Sequence, residues 1–150
     1  MKNRQGTQKI LLDTSFLLPT LGIEVEREVV QTISRIDQEQ TQLFYSEWSF
    51  LESSWVAIRL LRQKKFEEPV YRRGLLSITK THVYDTITMD PHDYLTALTF
   101  FQKGHSDMID NLLYAAALRE GCKFLTIDEE FSRFISKNDL ENAILTPKDI

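Results

Sequence analysis

The sequence predicts an α/β fold, a mainly parallel central sheet flanked by helices, and three observations lead to it. Residues 9–12, with the unbroken Ile10-Leu11-Leu12, read as a strand buried on both faces, as parallel sheets require, and the short, bounded apolar stretch 123–127 reads as a second buried strand. Segments with helical spacing lie between the strand candidates, which supplies the crossovers of such a sheet. Both runs end in an acid, Asp13 and Asp128, and open parallel sheets bind ligands outside the carboxyl ends of their strands. The pattern that predicts the fold therefore also points to a site.

Each element has its own signal. Residues 1–8 read as a lead-in, and Ile10, Leu11 and Leu12 form the buried part of the first strand, with Thr14 and Ser15 offering hydroxyls beside Asp13. Pro19 and Gly22 mark a turn, after which Val25, Val29, Val30, Ile33 and Ile36 give residues 24–36 helical spacing. Residues 41–45 are a second strand, and Ser46 caps a helix running to about Arg62. Residues 64–80 are charged, with Phe66, Val70, Leu75, Leu76 and Ile78 on an apolar side, which predicts one or two helices around Pro69. Residues 81–88 have the content of a strand, and Asp90-Pro91 opens a helix through Gln102. Ser106 as N-cap, Asp107 in the first turn and Gly121 as the left-handed stop bracket a further helix. The strand at 123–127, a short helix at 129–137 with Phe131 and Phe134 turned inward, a last strand at 143–145 and a tail from Thr146-Pro147 complete the chain.

At 150 residues, with 42% hydrophobic and 27% charged positions, the chain is expected to form one domain spanning 1–150 with a substantial core. A net charge of −4 argues against coating nucleic acid by charge alone but allows a local basic track. Cys122 is the single cysteine, which excludes an intramolecular disulfide framework and a cysteine-rich zinc site and reads as a buried thiol. No apolar run approaches the roughly 20 residues of a membrane helix, and no secretory segment is apparent, so the protein is expected in the cytoplasm without a membrane partner.

Asp107 and Asp110 are three apart and lean toward one side of their helix. Glu52 is the anomaly of the helix after Ser46, because it falls on the wheel among Trp48, Trp55 and Val56. A carboxylate on an apolar face must meet a cation or a metal, or shift its pKa. Glu47, in the first turn, is adequately explained by the helix dipole. Asp13, taken alone, serves equally well as a turn cap. Of His82, His92 and His105, which have no zinc-like spacing, only His105 lies next to the acidic helix.

Lys9-Ile10-Leu11-Leu12-Asp13 followed by Thr14-Ser15, Asp110 followed by Leu112-Leu113-Tyr114-Ala115-Ala116-Ala117-Leu118 after Asn111, and Leu125-Thr126-Ile127-Asp128 with Phe131 resemble the PIN-domain nucleases, especially their VapC-like toxin branch. The likeness spans almost the whole chain. It implies a PIN-like α/β/α sandwich, metal-dependent ribonuclease activity, a homodimer, and silencing by a small antitoxin protein that lies across the active-site groove. It also agrees with Glu52 over Glu47, since the family's acid comes several residues into this helix.

If Asp13, Glu52, Asp110 and Asp128 converge, their like charges raise one another's pKa until a divalent cation removes the conflict. All-oxygen ligands without Cys or a convergent His favour Mg²⁺ or Mn²⁺ over zinc, and such a site suits phosphodiester hydrolysis of an RNA substrate. The catalytic assignment is Asp13, Glu52, Asp110 and Asp128, with the first, third and fourth as metal ligands and Glu52 as ligand or water-orienting acid. Asp107 supports a second metal, and Ser15 and Thr126 hydrogen-bond to the ligands. Arg59, Arg62, Lys64 and Lys65, with Arg72 and Arg73, form the one basic concentration, a track for phosphates or else a solvated helical surface balanced by Glu67 and Glu68.

Rival readings are weaker. An aspartyl phosphatase needs a second acid where Ser15 stands, a nucleotide-binding enzyme needs a glycine-rich loop where Asp13-Thr14-Ser15-Phe16 stands, and a phosphoacceptor receiver needs paired acids after its first strand. A catalytically inert PIN-like module that binds RNA or protein is the remaining alternative. It would have no need to keep all four acids.

Overall fold

The structure, a computed structural model, describes residues 7–150. Along the chain lie β1 (Gln8–Leu12), a 3₁₀ turn (Thr14–Phe16), α1 (Arg27–Arg35), β2 (Thr41–Ser46), α2 (Glu47–Arg62), α3 (Glu68–Lys80) and β3 (Tyr84–Ile87). Then follow α4 (Pro91–Gln102), α5 (Met108–Glu120), β4 (Lys123–Leu125), α6 (Glu129–Lys137), β5 (Ile144–Leu145) and a final 3₁₀ turn (Pro147–Asp149). The strand order is β3-β2-β1-β4-β5 and every pairing is parallel. Most of the lead-in expected over residues 1–8 lies outside the described residues, and Gln8 already pairs with Thr41.

Strand alternation divides the core in two. Leu11 and Phe124 face a cluster built on α5 and α6, with Leu113, Tyr114, Ala116, Phe131 and Ile135 fully buried. Ile10, Leu12 and Leu125 face the opposite cluster, with Phe16, Leu21, Val29 and Ile78. This is the α/β/α arrangement, and it explains why β1 reads as an unbroken apolar run: neither of its faces meets water.

The order of connections makes β1 the switch point. The chain builds outward from β1 through β2 to β3, then crosses to β4 on its other side. The crevice at such a reversal opens beyond the strands' carboxyl ends, where Asp13 follows β1 and Asp128 follows β4.

Local chemistry sets the helix boundaries. Asp90 caps α4 and Asp93 returns the bond, a capping box. Gly121 ends α5 at φ 66°, a left-handed conformation in which glycine carries no Cβ penalty. Gly74 serves packing instead, since a Cβ there would lie 2.3 Å from the Thr20 carbonyl oxygen and 2.7 Å from Leu21 Cα. It lets α3 press against the turn after β1.

Several expectations are corrected. Of the one or two helices expected over residues 64–80 there is one, and it begins only at Glu68, with Pro69 accommodated in its first turn. Helix α1 starts at Arg27, because Glu26 is extended at φ −58° and ψ 142°. The strands predicted at 81–88, 123–127 and 143–145 shorten to the residues that pair, and the left-handed backbone of His82 (φ 58°) precedes β3. Asp107, not Ser106, caps α5, its Oδ1 accepting from the amides of Ile109 at 3.0 Å and Asp110 at 3.2 Å. On α2 the expected apolar face is also different: Trp55 is 56% exposed, whereas Ser49, Ser53 and Ala57 are buried. Small side chains let this helix approach its neighbours closely, so size and hydropathy misidentify its inner side.

Candidate metal centre

The site is assembled from four places in the chain. Asp13 follows β1, and its backbone N–H donates to the Leu125 carbonyl across to β4 at 3.0 Å, which carries the two strand ends forward together. The Thr126 hydroxyl then donates to Asp13 Oδ2 at 2.9 Å and accepts from the Asp128 amide at 3.0 Å. One buried hydroxyl thus joins the two strand-end acids. Asp128 Oδ1 caps α6 by accepting from the Phe131 amide at 3.0 Å. Glu52 comes from the second turn of α2, whose start is set by Ser46 accepting from the Trp48 amide. Asp107 and Asp110 come from the start of α5.

Burial and the charges of the neighbouring acids together raise three of these carboxyls. Burial, followed by the charges of Asp13, Asp107, Glu52 and Asp128, raises Asp110 from 3.8 to about 9. Asp13 is raised to about 6, chiefly by burial and then by Asp128 and Asp107, against the lowering effect of the Thr126 hydrogen bond. Glu52 rises to about 7 through burial and the charges of Asp13 and Asp107. Thr14 lies close enough to Glu52 to oppose that rise. No hydrogen bond closes there: Thr14 Oγ1, Ser49 Oγ and Glu52 Oε2 are buried polar atoms without a partner among the described residues.

His105 joins this group. One imidazole nitrogen and one carboxylate oxygen from each of Asp110 and Asp128 all lie within 4.8 Å of one another. Its sequence position singled it out without assigning it a role, and its link to Asp128 spans separate elements. Thr14 and Ser49 have no sequence signal beyond being hydroxyls near acids. Ser15, the expected second hydroxyl, makes no side-chain hydrogen bond among the described residues, and Thr14 occupies the place next to Glu52. Arg59 and Arg62 lie exposed in the last turn of α2, with Lys64 and Lys65 exposed just after it, and the structure does not bring them to the acids. Arg59 is seven residues beyond Glu52, about 10 Å along the helix. Cys122 is buried, and desolvation pushes its thiol up to about 11.

This donor set fits a hard divalent cation. Carboxylate oxygens dominate it, and burial followed by the charges of neighbouring acids raises the pKa values of Asp13, Glu52 and Asp110, a cost that a cation would relieve. Asp110 and Asp128, with His105, have donor atoms close enough together to share one such ion, and Asp13, Glu52 and Asp107 add negative charge to the same neighbourhood. Among the described residues no helix is long and apolar enough to cross a membrane.

The fold recurs in solved structures. The VapBC2 complex of Rickettsia felis, bound to a DNA fragment from its promoter, superposes with a TM-score of 0.63 at 13% identity over 93% of this chain and 98% of that one. FitAcB from Neisseria gonorrhoeae gives 0.59 at 16% identity over 94% and 99%. The sarcin-ricin-loop-cleaving toxin VapC20 of Mycobacterium tuberculosis gives 0.60 at 16% identity over 83% and 93%. At these identities the likeness establishes the fold alone. No curated protein sequence matches the chain. The sequence profile of the PIN domain matches residues 10–136, which includes both strand-end acids and the helices that carry the others, and on that match the chain belongs to the PIN domain family.

Proposed function

We propose that this protein is a divalent-metal-dependent endoribonuclease that hydrolyses RNA phosphodiesters, and that it acts as the toxin of a toxin-antitoxin pair. What supports the reading most is the cluster beyond the carboxyl ends of β1 and β4, where donor atoms of Asp110, Asp128 and His105 lie within 4.8 Å of one another and the charges of Asp13, Glu52 and Asp107 are felt. A scaffold used only for docking has no need for buried acids that destabilise it.

A bound Mg²⁺ or Mn²⁺ supplies charge neutralisation, a water of lowered pKa and a docking point for phosphate oxygens. The chain's own groups do the rest. Thr126 holds Asp13 and Asp128 in fixed relation, so the oxygens meet substrate already oriented. Glu52, half-buried on α2 with an unpartnered Oε2, is the group to orient an attacking water and accept its proton. Cleavage then adds that water at phosphorus and releases the ribose oxygen. Arg59, Arg62, Lys64 and Lys65 offer an exposed cationic path for the strand beyond the reacting phosphate.

The partner reading rests on comparable support. A similar fold occurs in a toxin-antitoxin complex from Klebsiella pneumoniae, and VapC20 is a sarcin-ricin-loop-cleaving toxin. Leu51, Trp55, Ile58 and Leu61 on α2, with Tyr94, Leu95, Leu98 and Phe101 on α4, are exposed, and Trp48 packs edge-on against Tyr94 between the two helices. So much exposed apolar surface suits a second copy of the chain or an antitoxin segment.

The test is Mn²⁺-dependent cleavage of structured RNA by the purified protein and by Asp13→Asn and Asp128→Asn. Each variant should lose at least about 100-fold in rate while keeping the fold. Activity persisting in the purified double variant would refute the proposal.

A further inference from the structure

His105 is held more tightly than packing alone requires. The Asn111 side-chain nitrogen donates to the backbone carbonyls of His105 at 2.8 Å and Ala97 at 3.4 Å, which sets the orientation of the amide. Its Oδ1 then lies 2.7 Å from His105 Nδ1 and can only accept, so Nδ1 carries the hydrogen. In the neutral ring the lone pair is therefore on Nε2, which has no hydrogen-bond partner among the described residues. His105 as a whole is 9% exposed, and its ring packs against Phe131 and Phe134 at centroid distances of 4.7 and 5.2 Å. A ring nitrogen of His105 lies within 4.8 Å of carboxylate oxygens of Asp110 and Asp128, and with Nδ1 engaged by Asn111 the nitrogen left to meet a ligand is Nε2.

We infer that His105 is a nitrogen donor to the cation of this centre, resting on the metal-dependent reading above, and that Asn111 fixes the ring in the tautomer which makes it one. The consequence is a change in metal preference. An all-carboxylate site suits Mg²⁺, whereas one imidazole favours first-row transition ions, because affinity for nitrogen-containing sites rises along that series. The centre is accordingly built for Mn²⁺ over Mg²⁺. The Asn111 contact plays the part that a carboxylate or carbonyl plays behind many metal-bound histidines.

Electron spin-echo spectroscopy of Mn²⁺ added to the full chain tests this directly. The bound ion should show nitrogen-14 modulation that becomes nitrogen-15 modulation when only histidine is isotopically labelled. The signal should vanish in His105→Gln and persist in the His82→Gln/His92→Gln double variant. Titration should show Mn²⁺ affinity falling about tenfold in His105→Gln, with Mg²⁺ affinity changing by less than about twofold. Bound Mn²⁺ without histidine nitrogen coupling in the unmodified protein would overturn the inference and leave the metal-dependent nuclease intact. Failure of the unmodified protein to bind Mn²⁺ at all would overturn both.

Discussion

Replacing Asp110 by asparagine should stabilise the metal-free protein, the opposite of what substituting a buried residue usually does. Asp110 is raised from 3.8 to about 9, so the folded state keeps a proton there at neutral pH that the unfolded chain releases above about pH 4. The folded state binds more protons than the unfolded state across that window, and stability therefore falls as pH rises from the ordinary carboxylate range toward pH 9. Each pH unit is worth about 1.4 kcal/mol, which places the penalty at pH 7 on the order of 4 kcal/mol. Asparagine copies the shape of the protonated acid and has no proton to lose. In EDTA at pH 7, Asp110→Asn should accordingly melt about 10 °C above the unmodified protein, with the two coinciding near pH 4. Mn²⁺ at about 100 times its Kd should add about 2.7 kcal/mol to the unmodified protein and far less to the variant. Thermal melts from pH 4 to 8, with and without metal, read all of these quantities. A variant less stable than the unmodified protein at pH 7 in EDTA, or a difference equal at pH 4 and pH 7, would refute the account of the cluster.

Three further outcomes follow from particular contacts. Thr126→Val removes the donor to Asp13 and the acceptor for the Asp128 amide, and should weaken Mn²⁺ binding by about tenfold or more in calorimetric titration while the sheet stays intact. Gly74→Ala drives a methyl into the Thr20 carbonyl and should cost about 1–3 kcal/mol in urea denaturation, with metal affinity unchanged. Replacing Arg59, Arg62, Lys64 and Lys65 together should weaken RNA binding and flatten its salt dependence, and an unchanged slope would put the substrate path elsewhere.

The parts of the fold and site that were legible in the sequence are those governed by neighbours along the chain. The apolar run ending in Asp13, the Ser46 cap, the Asp90-Pro91 start and the stop at Gly121 each express a backbone requirement met within a few residues. Errors arose where two local solutions compete or where packing decides. Ser106 and Asp107 are both good caps, and the choice went to the carboxylate that reaches two amides. Trp55 looks like a core residue by composition, yet the helix turns its small residues inward and leaves Trp55 to solvent or a partner.

By itself, the sequence determined that β1 and β4 are buried parallel strands ending in acids, because hydropathy and chain termination signals act over short distances. Tertiary structure alone decided how close Glu52, Thr14, His105 and Asn111 come to those acids, and which hydroxyl binds Asp13. The reason is that a carboxylate's pKa and a hydrogen bond depend on separations of a few ångströms between side chains far apart in the chain. Only the packing of α2 and α5 over the switch point of the sheet sets those separations.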